Sequence, residues 1–297
     1  MKRSPSFFIP SRPGYAHGLG IVSGLAVLFA MGCDSGPQAK DASAISRSQI
    51  AQVQIRIDTP SSGSSAVSVL AFRAQATDLP AANVLPAVDP LASSPPASGC
   101  ELREVSAPAR QVRAQGGTVN LQELEDVTLE LSPDSLLKPM PRVYPPFADV
   151  VGGVIAEAGP TDIETLPPSF ILAAGTGARF KLLMPAAPTL RDATETPLSS
   201  QTRLDASGDL VIGISGAVKS FLEIRPFGAP TAIACAPGAR GWVVVPHDLL
   251  GKLTAGTAGS PVAFEAVTRD TLIVDASGEP LRVAIEARSQ VVLELAP

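Results

Sequence analysis

Two histidines occur in the 297-residue chain, His17 and His247, and only His247 lies beyond the first 33 residues. A serine or cysteine nucleophile needs a base beside it, most often histidine, so any such site would have to use His247. That residue follows Pro246 and precedes Asp248 in HDLLGKL, the pattern of an exposed helix start. No G-x-S-x-G string is present; GISGA at Gly213 has its glycine one place too early and sits inside a strand-like pattern. His247, Cys100 and Cys235 are too few for a spaced set of zinc ligands.

Oxygen donors alternate at Asp205, Ser207 and Asp209, and again at Asp275, Ser277 and Glu279. A calcium loop of the EF-hand type needs glycine at its sixth position, where Leu210 and Pro280 stand. Both stretches share the string DASG and are better explained as the same turn used twice. Aspartate closes the turn and glycine takes the positive-φ place. Glu123, Glu125 and Asp126 could supply paired carboxylates for glycoside hydrolysis, but adjacent acids beside a strand usually form a solvated rim. AGTAGS at Ala255 lacks the lysine of a phosphate cradle. The sequence therefore offers no catalytic residue, no metal ligand set and no cofactor motif, and points to a non-enzymatic protein.

The elements around these residues are strands. QVQIRID from Gln52 alternates strictly, with Val53, Ile55 and Ile57 on one side and Gln54, Arg56 and Asp58 on the other. AVSVLAFRAQA, DVTLEL, DVVGGVIA, FILAAG and ARFKLLM follow, and RQVRAQ and TVNLQEL flank Gly116-Gly117 as a hairpin. The last hundred residues hold DLVIGIS, KSFLEIRP, TAIACA, GWVVVP, VAFEAVT, TLIVD, LRVAIEA and QVVLEL, interrupted by the one short helix at His247. In that helix Leu249, Leu250 and Leu253 form an apolar stripe. Prolines fill residues 78–99 and 132–147, which predicts two long loops. Such spacing of short strands and turns predicts an all-β protein built from β-sandwiches joined by proline-rich loops.

Composition narrows the partners. Against 23 Lys and Arg stand 28 Asp and Glu, for a formal net charge of −5, and no basic cluster exists. An acidic chain of this kind is a poor partner for nucleic acid or for anionic lipid. Aromatic residues are 4% of the chain, too few for the ring platform on which sugars or single-stranded bases stack.

Lys2, Arg3 and Arg12 precede an apolar run, Leu19–Met31, which ends in Gly32 and Cys33. The run falls short of the roughly 20 residues that cross a bilayer as a helix. Basic start, short apolar core and small terminal residue are the parts of a secretory signal peptide. Ala30-Met31-Gly32-Cys33 resembles the lipobox of bacterial lipoproteins, although Ala30 replaces the usual leucine and Met31 is bulkier than usual. The resemblance implies that residues 1–32 are removed, that Cys33 is lipidated, and that the membrane is engaged through that lipid. Lipidation of Cys33 leaves Cys100 and Cys235 as an even pair in an oxidising compartment, which predicts a disulfide between them. Asp34, next to the lipobox, is a signal for inner-membrane retention in some bacteria; the expected location is the outer membrane, on its periplasmic or surface face.

The expected organisation is a signal peptide (1–32), a tether (33–49), a β-rich domain (50–184), a linker (185–202) and a β-sandwich domain (203–297). The stretch 221–253 resembles the C-terminal part of secreted bacterial proteins with immunoglobulin-like sandwiches. In those, a cysteine-bearing strand precedes a strand ending in Val-Pro and a Leu-rich turn. Together these readings imply an anchored envelope protein with a structural or adhesive role toward an envelope protein or glycan. The alternative is a ligand-binding module rimmed by residues 78–99 and 132–147, and behind it a carboxylate-based hydrolase.

Overall fold

A computed structural model describes residues 48–60, 63–77, 84, 88, 96–104, 114, 116–132, 134–147, 150–175, 177–216, 220–227, 229–255, 261–276 and 278–296. All of these belong to one compact unit, Ser43–Pro297. Alternation of apolar and polar residues makes most of it strand. In the first part run β1 (Ser48–Pro60), β2 (Ser65–Thr77), β3 (Cys100–Glu104), β4 (Thr118–Glu123), β5 (Thr128–Ser132), β6 (Ser135–Leu137) and β7 (Met140–Phe147). Next come β8 (Val151–Ile163), β9 (Ser169–Ala174), β10 (Ala178–Leu183), β11 (Thr189–Arg191), β12 (Leu204–Asp205) and β13 (Leu210–Ser215). The chain closes with β14 (Ser220–Pro226), β15 (Thr231–Cys235), β16 (Trp242–Val245), helix α1 (His247–Thr254), β17 (Val262–Ala276), β18 (Glu279–Leu293) and β19 (Leu295–Ala296).

One ten-stranded sheet organises the rest, in the order β3-β15-β14-β17-β18-β1-β2-β4-β8-β7. Two smaller sheets lie over its front face, each closing a sandwich. Over the β1–β2 region, β10-β9-β5-β6 buries Leu129, Phe170 and Leu172 against Val53, Ile55 and Val69. Over the β14–β17 region, β11-β13-β16 buries Ile212, Val243 and Val245 against Leu222, Ile224 and Phe264. The all-β sandwich architecture expected from sequence is therefore present, with the short helix α1 packed onto the second core. Its Leu250 and Leu253 are buried and Leu249 packs beside them.

The long hairpin β17–β18 serves both cores. Phe264, Val291 and Leu293 lie in the second, while Leu281, Val283 and Ile285 lie in the first. Strands from both sides of residues 185–202 thus share one sheet, and that expected linker itself contributes β11 and the buried Leu190 and Leu198. β1 starts at Ser48, just inside the expected tether.

Several expectations need correction. VAFEAVT and TLIVD are one strand, as are LRVAIEA and QVVLEL. The polar residues Arg269 and Arg288 that break the pattern are ladder positions held by ion pairs, not turns. Residues 132–147 hold β6 and β7 rather than a loop. Their prolines are tolerated because, among the described residues, β7 is the end strand of the sheet and has a ladder on one side. Residues 78–99 are not wholly a surface loop, since Val84 and Val88, both helical and one turn apart, are buried against Phe72 and Leu121. Of RQVRAQ only Ala114 is described, and it is helical; β4 pairs instead with β2 and β8.

The parallel pairing of β4 with β8 sets a sharp test. Gly153 faces Leu121 in that ladder, with φ of +134°, and a Cβ on it would stand 2.0 Å from the Leu121 carbonyl oxygen. Nothing lies within 4 Å of a Cβ placed on its neighbour Gly152. Gly153→Ala is expected to cost about 3 kcal/mol or more, because backbone cannot yield as a side chain can. Gly152→Ala is expected to stay within about 0.5 kcal/mol. Urea unfolding midpoints of the two variants check the contrast.

Candidate functional site

Cys33 lies outside the described residues. The other two cysteines meet: Cys100 and Cys235 form a disulfide, with Cα atoms 4.0 Å apart across a sequence separation of 135. They are register partners on β3 and β15, so the bond joins the end strand of the sheet to its neighbour. Loop-closure entropy for so long a span is worth about 5 kcal/mol before any strain.

The other chemistry-bearing residues are placed in turns. His247 is exposed at the start of α1; its N–H donates to Asp209 Oδ1 at 2.9 Å, and its Nδ1 lies 2.9 Å from the Ala206 carbonyl. Asp205 Oδ1 accepts from the Ser207 N–H at 2.8 Å, and that turn holds the carboxyl below its usual pKa. At the tip of the β17–β18 hairpin Asp275 Oδ1 accepts from the Gly278 N–H at 2.6 Å. Both DASG strings thus work as turns, their carboxylates bonded to backbone N–H groups. Ser215, in the string GISGA, takes a bond from Arg191 Nε at 3.1 Å and pairs with the Thr189 hydroxyl.

Glu123 and Glu125 do come near other charged groups. With Arg73 and Glu279 they line a cleft of about 460 Å³ at one end of the first sandwich. Arg73 Nη2 is held by Glu279 Oε2 at 2.6 Å, so the cation of the cleft is already paired. The two proline-rich segments also meet, because the Tyr144 hydroxyl donates to the Val88 carbonyl at 2.7 Å.

Among the described residues, the largest assembly of ionisable groups is one that sequence reasoning missed. On the back of the ten-stranded sheet, opposite the sandwich cores, Glu286 is 1% exposed between two arginines. Arg269 Nη2 holds its Oε1 at 2.6 Å from β17, and Arg288 Nη2 holds its Oε2 at 2.7 Å from two places along β18. Arg288 also reaches Glu265 Oε2 at 3.2 Å, and Glu265 Oε1 accepts from Gln290 Nε2 at 2.8 Å. Arg225 completes the row 3.7 Å from Glu265. Arg269 further lies 5.9 Å from the centre of the Phe221 ring, within reach of its π face.

Electrostatics follow from burial set against these neighbours. Burial alone would raise Glu286, but Arg288 and Arg269, with Arg56 behind them, outweigh it and hold the carboxyl below its usual range. For Asp58 the balance reverses: burial raises it despite Arg56 and Arg288. Arg282 is lowered by burial and by repulsion from Arg269. Gln52 Oε1 and the Nε atoms of Arg56 and Arg282 are buried there without a hydrogen-bond partner. The arrangement anchors strands to one another through alternating charge. In sequence the members on β18, Arg282, Glu286, Arg288 and Gln290, fall on alternate places, as on the solvated side of a half-buried strand.

Compared with protein-family models, with curated proteins and with solved structures, the chain matches none. Among the described residues no cluster of three or more metal-binding side chains occurs, and no helix is long and apolar enough to cross a membrane.

Three measurements test this geometry. Arg288→Met strips Glu286 and Glu265 of a shared cation, leaving only Arg269 beside the first and Arg225 beside the second, and is expected to cost about 3 kcal/mol in urea unfolding, since two buried carboxylates are then under-compensated. Because the folded pKa of Glu286 is depressed, its stabilisation is complete above the unfolded carboxylate pKa of about 4.3 and is lost as pH falls through the lower folded value. Glu286→Gln is therefore expected to lose stability at neutral pH and to flatten the acid limb of the stability profile. Thiol labelling of the unfolded, unreduced chain is expected to leave Cys100 and Cys235 unmodified, and both become reactive after reduction.

Proposed function

We propose that this is a lipid-anchored, non-enzymatic protein of the bacterial cell envelope, acting through its β-sandwich surfaces in a structural or adhesive role. The observation that carries the reading is the pairing of leader and disulfide. A lipobox-like Ala30-Met31-Gly32-Cys33 assigns one cysteine to lipid, and the other two, Cys100 and Cys235, are bonded to each other. Structural disulfides persist in oxidising compartments, so the bond supports a site of action outside the cytoplasm. Placement of the anchor in the outer membrane, on its periplasmic or surface face, belongs to the same proposal.

Physics favours this form of attachment. An acidic chain gains little from anionic headgroups, whereas buried acyl carbons contribute about 0.8 kcal/mol each, so two or three chains hold firmly. The non-enzymatic assignment is supported by where the titratable groups go. His247, Asp205, Asp209 and Asp275 are bonded to local backbone, and the arginine–glutamate row ties strands together. An immunoglobulin-like identity for the second sandwich is part of the proposal. Its support is the order of β15 ending in Cys235, β16 ending before Pro246, and α1 after it, the order that the resemblance implied.

A second reading draws on two observations. The proline-rich segments meet at Tyr144 and Val88, and the cleft beside Arg73 gathers Glu123, Glu125 and Glu279. A small ligand-binding module would use such places, and a carboxylate-based hydrolase would need the cleft. Neither segment is a free rim, however, since β7 is laddered to β8 and Val88 is buried.

Cys33→Ser tests the anchor. In cells that process lipoproteins, the variant is expected to leave the membrane fraction or to accumulate as uncut precursor. Unchanged membrane partition with the leader removed would refute lipidation at Cys33.

A further inference from the structure

The outward side of the small sheet β11-β13-β16 carries side chains that the second core does not use. Leu190, Ile212, Val243 and Val245 turn into that core. Thr189 and Arg191 on β11, Gly213 and Ser215 on β13, and Trp242 and Val244 on β16 therefore turn away from it. Thr189 and Val244 are exposed, so this side is molecular surface.

Register sets Arg191, Gly213 and Trp242 in one row across the three strands. Gly213 leaves its place empty and the indole takes it: a Cβ there would stand 2.9 Å from Trp242 Cζ3. The ring is thereby laid across the sheet toward Arg191. Arg191 leans along the sheet instead, its Nε donating to the Ser215 hydroxyl at 3.1 Å, and that hydroxyl pairs with Thr189. The bond uses one of five guanidinium donors, and among the described residues Arg191 has no ion pair. Asp192, the nearest acid in sequence, is spent on its own turn, accepting from the Thr194 and Thr196 N–H groups.

A second cation stands on the β16 side. Arg240 is exposed, two residues before Trp242, and it too lacks an ion pair among the described residues. The turn that carries it is pressed onto β13, since a Cβ on Gly241 would stand 2.3 Å from the Ile214 carbonyl oxygen. Arg240 has φ of +65°, a conformation that glycine adopts freely and other residues rarely do. An arginine held at a strained surface position, with no partner in the fold, points to a partner outside it.

The chemistry of the cluster names that partner. A guanidinium fork takes a carboxylate through two parallel bonds. An indole offers apolar surface to the C–H groups of a sugar ring, and the Thr189 and Ser215 hydroxyls can exchange hydrogen bonds with sugar hydroxyls. One ring is too little for the stacking platform of a neutral sugar, so charge must carry the affinity. We propose that this side of β11-β13-β16 binds an acidic glycan, a chain of sugars bearing carboxylates. Arg191 and Arg240 hold the carboxylates and Trp242 packs against a sugar ring. The proposal rests on the adhesive reading above and gives it a ligand. Its test reads binding by the purified chain, so it can fail while the anchor at Cys33 stands, and the reverse.

Trp242 is the only tryptophan in the chain, so its fluorescence reports this site alone. Titrating the full chain in detergent with oligogalacturonate is expected to shift the emission, and raising the salt to weaken binding about tenfold. Arg191→Met is expected to weaken binding about tenfold, through loss of the fork. Arg240→Gly is expected to weaken it about threefold while the urea midpoint does not fall, because the strain at that position is relieved. Weaker binding by that variant is then not a loss of fold. Four results would each overturn the proposal: no response to about 1 mM oligogalacturonate, an equal response to a neutral cello-oligosaccharide, an equal response to poly-glutamate, or single variants that bind as the wild type does.

Discussion

The parallel pairing of β1 with β18 is the constraint on which the rest of the structure depends. Ten residues of the first strand, from Ala51 to Pro60, lie in register with Leu281 to Gln290 near the end of the chain. Parallel neighbours cannot be joined by a tight turn, so nearly the whole domain is the connection between them. β2 hangs from the far side of β1, and β17 from the far side of β18. The first core takes residues from both β1 and β18 and closes only when these distant segments meet, whereas the second draws its buried residues from Leu190 to Leu293. Such distant pairing carries a large loop-closure entropy, which makes formation of the seam a slow, late-rewarded step.

Charge in the seam makes sense of its register. Arg56 is paired with Glu286 in the β1–β18 ladder, and Asp58 with Arg288. A one-residue slip would turn Val53, Ile55 and Ile57 from the core to the back face, and would carry Arg56 and Asp58 into the core. A two-residue slip keeps the faces but sets Arg56 beside Arg288, like charge against like. Hydrophobic alternation excludes the first error and the arginine–glutamate row excludes the second. Burial of these ions brings no guaranteed gain in stability, since desolvation offsets much of the attraction, so discrimination between registers is the better account of their presence.

Much of the fold was legible in the sequence because alternation is a local signal. The strands QVQIRID, DVTLEL, DLVIGIS and GWVVVP, the turns at DASG, and the short helix at His247 all rest on neighbours within a few residues. What the sequence hid is non-local. Arg269 and Arg288 looked like interruptions because their partners, Glu286 and Glu265, belong to other places along the hairpin. Proline in 132–147 looked like a loop because composition does not reveal that β7, among the described residues, is the end strand of its sheet. Val84 and Val88 were masked by five surrounding prolines, yet their spacing of one helical turn was the signal available. The disulfide was reached by counting cysteines after Cys33 was set aside; that the sulfurs meet depends on β3 crossing to the sheet of the second core, which no periodicity shows.

That crossing has a consequence for how the ends of the sheet behave. β3 has five residues, and its ladder alone would be a weak hold for a strand whose neighbours in sequence, Pro96 to Gly99, are bends and irregular chain. A covalent bond to Cys235 removes the cost of ordering it, because Cys235 is itself buried between Leu222 and Ile233 in the second core. At the opposite end β7 is longer, but it bears Met140 and Val143 at 70% and 73% exposure beside prolines that deny donors. The two ends of one sheet are therefore held differently, β3 by a covalent bond into the second core and β7 by its ladder to β8.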